Sequence, residues 1–348
     1  CSDISQSSIL SSFSKHVCRA TPHTGRRSTP VGLSASRCTV DGPHPELSAS
    51  TIRRRASETN HDPSVPTTPG FKSADGYYFR HLRSLENELT ARGNFLPADA
   101  KGTAAITASM RCKLVSWLFE VTPLFPLLPE SLFLAVTLLD RYLAAVPETG
   151  KQELQLLGIC CLMIAAKYEE TVLVPSTEIF CEMTAHAYTR QQLIDMEVRV
   201  LTQLEHRVGV PTSHAMLWIL NSVLKLDKQT LFMTCYLLEL STVEYLMLQY
   251  PPSTLAAAAI FLATATLGQK MSEGAILFLE EHCGEGVVAC VKMMNELHNV
   301  PCDCENAIDK VWGPIWQKYM SPRRGNVAAI PARVLIDDED EDRNDKNK

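Results

Sequence analysis

The chain has 348 residues and a formal net charge of −6. At roughly 150 residues a domain, this length predicts about two domains with additional segments. The negative charge disfavours a dedicated nucleic-acid binder, since such proteins are usually basic. The apolar run from Leu156 to Ala166 is far shorter than the ~18 residues of a membrane span, and no apolar N-terminal stretch predicts a secretory signal. The twelve cysteines lie mostly within apolar segments, which predicts reduced thiols packed as small hydrophobic side chains.

Residues 1–75 are rich in Ser, Thr, Pro and Arg and poor in large apolar side chains, a composition that predicts a disordered regulatory tail. The tail carries candidate phosphorylation sites of two kinds. A threonine precedes proline at Thr21, Thr29 and Thr68, and Ser57 follows a run of three arginines. Short motifs of this kind also arise by chance in such a composition, so both interpretations stay open for each site.

Helical periodicity begins near Tyr77 and continues through the first half of the chain. Proline opens one of these helices at Pro129. Thr189 and Gln192 have the spacing of a capping box at the start of another. The predicted helices span 77–92, 106–121, 129–143, 155–170, 175–185 and 189–204.

The stretch Gln155–Glu170 is predicted to be the central helix of this half. It is apolar on every side from Leu156 to Ala166, and a helix that is hydrophobic all round must be buried on all sides. The next residues are Lys-Tyr-Glu-Glu, and a lysine at this end suits the negative end of the helix dipole. The sequence therefore predicts a buried helix that presents Lys167 at a defined place on the surface, as in an interaction scaffold.

The helical pattern then repeats. A second all-apolar helix, Leu255–Leu267, matches the central helix at an offset of 98 residues, which aligns Leu157 with Leu255 and Ala165 with Ala263. Two all-α units of about a hundred residues each fit this offset, and no run of alternating residues predicts strands. The helices predicted in the second unit begin at Thr212 and then span 231–248, 255–267, 286–298 and 304–320.

Five motifs occur along these two units. They are Met110–Leu118, Leu139–Leu143, Leu156–Glu170, Tyr188-Thr189 with Met196-Glu197, and Tyr236–Leu240 with Pro252-Ser253. They resemble motifs of the cyclin family, in the family's order, and the second unit resembles the second box of A- and B-type cyclins. The resemblance implies an all-α fold of two tandem five-helix cyclin boxes, at 76–208 (with a preceding helix) and 209–320, with disordered N- and C-terminal tails at 1–75 and 321–348.

The resemblance implies a regulatory subunit that has no catalytic activity of its own. It would form a heterodimer with a cyclin-dependent Ser/Thr protein kinase and hold the kinase's mobile helix and activation loop, thereby controlling cell-cycle progression. The family's lysine and glutamate that reach the kinase match Lys167 and Glu197, and Glu169 and Glu170 are assigned to the same surface. The alternative interpretation makes these residues solvated surface charges. A second open function is a transcription-associated cyclin-fold protein that binds a transcription kinase or the general transcription machinery.

An internal ion pair is also implied. In the family, the residues that match Arg111 and Asp140 join the first two helices of the box. Both residues lie among apolar neighbours in this sequence, where an unpaired charge is very costly. The expected role of this pair is structural and not catalytic.

The first helix resembles a docking patch that binds Arg-x-Leu segments of substrates or inhibitors. Its apolar residues would hold the leucine, and a carboxylate would hold the arginine. Lys113 departs from the family pattern, which usually has a hydrophobic residue there, and a cation would shrink the apolar floor and repel an arginine. Two interpretations therefore stay open. The residues dock such a segment, or they have a core-and-rim role, in which they are only part of the apolar core and its polar edge. The matching residues are Met110, Leu114, Trp117, Glu120 and Gln155.

The chain becomes polar again from Ser321. The segment Ser321–Arg324, Ser-Pro-Arg-Arg, matches a proline-directed kinase site followed by basic residues, and the acidic run at 337–342 predicts a solvated tail. No Arg-x-x-Leu destruction segment occurs in the N-terminal tract, which leaves recognition by the ubiquitin-ligase machinery open.

Little in the sequence indicates other chemistry. The cysteines and histidine between Cys283 and Cys304 fit no zinc-binding spacing. Gly-rich phosphate loops, nucleophile elbows and kinase signatures are missing. We therefore expect no metal, cofactor or catalytic residue, no nucleic-acid or membrane partner, and a location in the nucleus and cytoplasm.

Overall fold

Helices dominate the part of the chain that the structure describes. The computed structural model describes residues 74–91, 93, 95–96, 106–171, 174–283, 286–299 and 311–332, and all of these belong to one compact unit. Within these residues the fold contains α-helices and short 3₁₀ turns but no β-strand, as the sequence predicts. The candidate sites Thr21, Thr29, Ser57 and Thr68 lie outside the described residues, as do most of the predicted N-terminal tail and the acidic run.

A leading helix, α1, precedes a first bundle of five helices. Local signals in the sequence explain where these helices begin. The side chain of Thr107 accepts a hydrogen bond from the backbone N of Met110 at the start of the second helix, and Thr189 and Gln192 form the predicted capping box at the start of the sixth. The helices are α1 Ala74–Leu89, α2 Ala108–Val121, α3 Pro129–Ala145, α4 Leu154–Glu169, α5 Thr177–Met183 and α6 Arg190–Gln203.

Helix α4 forms the core of the first bundle. Every residue from Leu156 to Ala166 is buried, which confirms the central position predicted from the all-round apolar pattern. Gly158 allows α2 to pack closely, because a Cβ at this position would lie 2.9 Å from the methyl carbons of Leu114. The helix is therefore held on all sides, and its polar end has a fixed position.

A second bundle repeats this arrangement. Its central helix, α9, begins at Pro252, which is 98 residues after the start of α4 at Leu154. Helix α10 has no counterpart among the predicted helices, since its apolar run is short and begins next to Gly274. The helices are α7 Ser213–Leu224, α8 Lys228–Val243, α9 Pro252–Thr266, α10 Glu273–Cys283 and α11 Val287–Asn299.

The helix predicted over 231–248 is shorter than expected and ends at Val243. Arg111 explains the difference, because its Nη1 donates to the carbonyl oxygens of Thr242 at 2.8 Å and Val243 at 2.7 Å. In a continuing α-helix those carbonyl oxygens would accept hydrogen bonds from the backbone N–H groups four residues further on. The backbone instead becomes extended at Glu244 and forms a 3₁₀ turn, Tyr245–Gln249.

The C-terminal segment packs across both bundles. Helix α12, Gly313–Tyr319, contacts α2 and α8; the first part of the helix predicted over 304–320 lies outside the described residues. Two short 3₁₀ turns follow, and Nε2 of His298 lies 3.0 Å from the carbonyl oxygen of Ile330. None of the described helices is both long enough and apolar enough to cross a bilayer.

Candidate functional site

The end of α4 and the middle of α6 present an exposed ion pair. Nζ of Lys167 lies 2.6 and 2.7 Å from the two carboxylate oxygens of Glu197. The side chains of these residues are 41% and 16% exposed, respectively, so both remain accessible to a partner. On its other face, α6 buries Leu193, Met196 and Val200. Packing thus fixes both helices, and the structure brings together two charges that are 30 positions apart in the sequence.

The two carboxylates at the end of α4 have different environments. Glu170 accepts hydrogen bonds from the backbone N of Leu128 at 2.7 Å and from Oγ of Ser131 at 2.8 Å, so it joins α4 to the start of α3. Glu169 is half-buried, and burial raises the pKa of its carboxyl, with Glu130 and Glu170 adding to the rise. Glu170 is therefore engaged within the fold, whereas Glu169 lies in an acidic neighbourhood.

Two exposed aromatic side chains near this surface have no role in the sequence prediction. Tyr168 is 57% exposed, and Tyr78 on α1 is 53% exposed. Burial raises the pKa of Tyr78, and the charges of Glu130 and Glu169 raise it further. The Tyr168 hydroxyl lies so near the Cα of Gly209 that a side chain there would collide with it. One sequence feature could have indicated Tyr168, since it is an aromatic residue among the charged residues at the end of a buried helix.

Arg111 and Asp140 form a buried ion pair between α2 and α3. Nε and Nη2 of Arg111 lie 2.9 and 2.7 Å from the two carboxylate oxygens of Asp140. Both side chains are almost completely buried. Since Arg111 also binds the backbone at the end of α8, it connects the two bundles and is enclosed by them.

The five residues that match the docking patch lie on α2 and near the start of α4. Leu114 and Trp117 are buried, and Glu120 is exposed. Met110 and Gln155 are half-buried. The patch therefore has an apolar floor that is mostly covered and one exposed carboxylate at its rim.

Two polar side chains affect this patch. Oε1 of Gln155 accepts a hydrogen bond from the Tyr188 hydroxyl at 3.2 Å, which ties α4 to the segment before α6. Lys113 is half-buried on α2. Lysines in such positions commonly bury their aliphatic stems and keep the ammonium group in water.

Ser321 lies in an ordered turn. Its Oγ accepts from the backbone N of Arg323 at 3.4 Å, and the Pro322–Arg324 turn follows directly. Pro322 and Arg323 are exposed, and Ser321 is half-exposed. The motif is therefore presented at the surface of the C-terminal segment.

The described residues contain no cluster of metal ligands. No three His, Cys, Asp or Glu side chains are grouped there as metal ligands would be. Burial raises the pKa of the Cys235 and Cys283 thiols to about 12. Cys302 and Cys304 lie outside the described part of the chain.

Each of the two bundles matches the model of a known protein domain. The model of the cyclin N-terminal domain matches residues 78–209, and the model of the cyclin C-terminal domain matches residues 215–333. The chain belongs to the cyclin family. The resemblance stated from the sequence motifs is thus confirmed, together with the all-α fold of two tandem cyclin domains.

The curated relatives of this cyclin include A- and B-type cyclins. It is 41% identical to Cyclin-A1-2 of Arabidopsis thaliana over 228 residues, which is 64% of this chain and 50% of the relative. It is 38% identical to Cyclin-B2-1 of Oryza sativa subsp. japonica over 265 residues, 75% of this chain and 60% of the relative. The chain spans about half the length of the first curated relatives it matches. The names of these relatives favour the cell-cycle prediction over the transcription-associated one.

A solved structure supports the fold independently. The X-ray structure of a viral cyclin from herpesvirus saimiri superposes on this cyclin with a TM-score of 0.53 at 19% identity. The superposition covers 63% of this chain and 95% of the viral cyclin. At this identity the likeness concerns the fold alone.

Proposed function

We propose that this cyclin binds and activates a cyclin-dependent Ser/Thr protein kinase and thereby controls cell-cycle progression. The observation that carries the proposal is the exposed Lys167–Glu197 pair at the end of the buried central helix. It provides three ammonium donors and a carboxylate acceptor on a rigid surface, and charge-assisted hydrogen bonds to irregular backbone segments of a partner are strong. The A- and B-type names of the relatives support the same function.

The pair is preorganised for binding. In the free chain the Lys167 ammonium and the Glu197 carboxylate lie together, so both charged groups are already at one place on the surface when the partner arrives. On docking, Lys167 would turn to backbone carbonyls of the kinase and Glu197 to its backbone N–H groups. The role is that of a non-catalytic activator, and the reacting groups belong to the kinase.

The test is a kinase assay with the purified full chain and a recombinant mitotic cyclin-dependent kinase on a histone substrate. The wild type is expected to raise kinase activity strongly, and Lys167→Ala with Glu197→Ala is expected to abolish the increase. The matched control is Glu153→Ala with Arg199→Ala. This exposed pair, 2.9 Å apart, joins the same two regions of the fold from another position.

The outcomes separate clearly. Loss of activation in the first double variant with retention in the control supports the proposal. Full activation by the Lys167→Ala/Glu197→Ala variant would contradict the proposal. So would a wild-type protein that activates none of the cyclin-dependent kinases tested. Turnover of ATP by the cyclin alone would contradict the non-catalytic role.

Substrate docking through α2 forms the finer part of the proposal. The exposed Glu120 and the floor made by Leu114 and Trp117 suit an Arg-x-Leu segment, while the Lys113 ammonium opposes its arginine. Lys113→Leu is therefore expected to strengthen binding of an Arg-x-Leu peptide several-fold, since it adds apolar floor and removes a repulsive charge. Fluorescence anisotropy measures the affinity. Equal affinity for both proteins would favour the core-and-rim role.

A further inference from the structure

The segment Ser321–Arg324 carries a motif that the proposed function does not use. Its serine precedes a proline and two arginines, the pattern of a site for a proline-directed Ser/Thr kinase. Short motifs of this kind also arise by chance. A hydroxyl group in a folded domain becomes a substrate only where a kinase can reach it, so the surroundings of Ser321 decide whether the motif can act.

Ser321 is presented at the surface in an extended backbone conformation. It is half-exposed, and Pro322 and Arg323 are exposed. Its φ and ψ angles are −73° and 137°. Few backbone bonds hold the turn that follows: the N of Arg324 donates to the carbonyl oxygen of Ser321 at 2.9 Å, and the N of Gly325 donates to that of Pro322 at 3.1 Å. Opening a short surface turn is a local event that leaves the helices folded, so a kinase can reach this hydroxyl.

A second hydroxyl residue before a proline shows how much the surroundings matter. Thr122 precedes Pro123 at the end of α2, but it is only 5% exposed. Two apolar residues, Leu124 and Phe125, follow in place of the arginines. A kinase could reach Thr122 only by unfolding the end of a core helix. The chain thus contains a matched pair of sites, of which only Ser321 is accessible.

The sequence around Ser321 is cationic. From Lys318 to Arg324 the chain has three cations and no acidic residue. Glu239 of α8 contacts this segment, but it is buried, and its Oε1 accepts from Nζ of Lys318 at 2.6 Å and from the Tyr319 hydroxyl at 2.9 Å. The acid that packs here is therefore already engaged, and an added negative charge would meet a positive neighbourhood.

The two arginines of the motif have different environments. The guanidinium carbon of Arg324 lies 5.6 Å from the ring centroid of Tyr319 and 5.7 Å from that of Phe232, so this arginine packs the turn against α12 and α8. Arg323 is exposed, and it forms no ion pair with any other residue in the described part of the chain. Its backbone N lies 3.4 Å from Oγ of Ser321. Arg323 is thus the cation that can turn to a group attached to this oxygen.

We propose that a proline-directed Ser/Thr kinase phosphorylates Ser321 and that Arg323 binds the resulting phosphate. In the transfer, Oγ of Ser321 forms a bond to the γ-phosphorus of ATP, the bond from this phosphorus to the β–γ bridging oxygen breaks, and ADP leaves. The hydroxyl proton passes to the catalytic aspartate of the kinase. The phosphate has a charge of about −1.5 to −2 at pH 7, and its hydrogen bonds with a guanidinium are charge-assisted. The modification fastens the C-terminal segment, which contacts both bundles through α12.

The first test incubates the full chain with ATP and a recombinant mitotic cyclin-dependent kinase that another cyclin has already activated. Mass spectrometry is expected to find phosphate on Ser321 and none on Thr122. Pro322→Ala is expected to lose most of the phosphate at Ser321, since the kinase selects the proline. No phosphate on Ser321 of the wild type, or the same rate of modification in Pro322→Ala, would overturn the proposal.

The second test concerns Arg323. Phosphorylation is expected to raise the midpoint of thermal unfolding by about 2–4 °C in the wild type, because the phosphate adds charge-assisted hydrogen bonds. The rise is expected to be mostly lost in Arg323→Gln. Arg190→Gln is the control and should keep it, because Arg190 is an exposed arginine that pairs with Glu178 in the first bundle. No rise in the wild type, or an equal rise in Arg323→Gln, would overturn the proposal.

This inference does not depend on the proposed function, because the chain acts here as a substrate. A parallel reaction omits the other cyclin, so that the kinase can be active only if this chain activates it. Phosphate on Ser321 in the first reaction, with no kinase activity in the parallel one, would support the inference and contradict the proposed function. Histone phosphorylation in the parallel reaction, with Ser321 unmodified in both, would support the proposed function and overturn the inference.

Discussion

The two central helices, α4 and α9, have the same position in the two bundles but differ at their ends. At the offset of 98 residues, Lys167 of α4 corresponds to Ala265 of α9. Lys167 is exposed, whereas Ala265 is buried. The helix α9 ends in a neutral turn that includes Gly268, which has a positive φ of 66°. The end of α4 thus presents a charged residue at the surface, whereas the matching part of α9 is buried in the core.

The start of α9 has a buried polar contact with the leading helix. The carboxylate of Glu86, on α1, accepts from the backbone N of Ser253 at 2.7 Å and from its Oγ at 3.0 Å. Arg83 donates to the same Oγ at 2.7 Å. The first turn of α9 is therefore attached to α1, which also carries Tyr78. The second bundle anchors the leading helix, and the first bundle provides the charged pair.

The largest expected effect follows from the ion pair that serves both bundles. Asp140→Ala leaves the Arg111 guanidinium buried and unpaired, and we expect a loss of roughly 3–5 kcal/mol in the free energy of unfolding. Urea denaturation followed by circular dichroism measures it. Replacing both residues with Arg111→Met and Asp140→Leu is expected to recover part of this loss. A loss below about 1 kcal/mol for Asp140→Ala would show that the pair is not essential to joining the bundles.

A smaller effect is expected where α1 meets α9. Glu86→Ala removes the acceptor of the buried Ser253 backbone N–H, and the cost is expected to be about 1–3 kcal/mol. Glu88→Ala is the control on the same helix, since its pair with Arg207 is exposed and is expected to contribute little. Thermal unfolding compares the two variants. Equal stability would mean that the second bundle does not hold the leading helix.

The helix caps of the two bundles differ in their response to pH. Asp227 caps α8, and the Thr230 hydroxyl lowers its pKa to about 2 from an ordinary value of 3.8. Because the folded-state pKa is the lower one, this carboxylate stabilises the fold above about pH 4, and the contribution is lost as the pH falls towards 2. Asp227→Ala is therefore expected to cost about 1 kcal/mol at pH 7, and the difference from wild type should shrink below pH 4.

The neutral cap of α6 provides the comparison. Thr189→Ala is expected to cost about as much as Asp227→Ala at pH 7, because its hydroxyl also accepts from the backbone of the first turn. Its cost should not change with pH, since a threonine does not titrate. Urea denaturation at a series of pH values measures both variants. A cost for Asp227→Ala that is the same at pH 3 and pH 7 would contradict the role of its charge.

The smallest expected effect on stability belongs to the exposed pair. Lys167→Ala should change the free energy of unfolding by at most about 1 kcal/mol, because exposed ion pairs contribute little. The same variant is expected to impair kinase activation. Thermal unfolding and the kinase assay together test this separation. A large loss of stability would assign Lys167 to the fold and would weaken the contrast between the ends of α4 and α9.

The helices and the repeat were largely predictable from the sequence. The all-round apolar pattern of Leu156–Ala166 predicted a buried helix, and Thr189 with Gln192 predicted the start of α6; both are confirmed. The break of α8 at Val243 was not predictable, because the residue that ends the helix is Arg111, more than a hundred positions away. Helix α10 was missed because its own apolar run is short.

The roles of single residues depended more on the tertiary structure. The sequence grouped Glu169 and Glu170, but packing gives Glu170 a contact with the start of α3 and leaves Glu169 in an acidic neighbourhood. Trp218 fits the apolar stripe of α7 in the sequence, yet its side chain is exposed and bound to His214. Helical periodicity cannot show this, because it does not tell which face of a helix its neighbours cover.

The sequence by itself determined the family, the two helical bundles and the place where a buried helix turns polar, because these depend on apolar periodicity and on local capping residues. Only the tertiary structure decided which charges meet, such as Arg111 with the end of α8, Glu86 with the start of α9, and Lys167 with Glu197. The physical reason is that these contacts join residues far apart in the chain. Their distances depend on how whole helices pack and not on any local pattern.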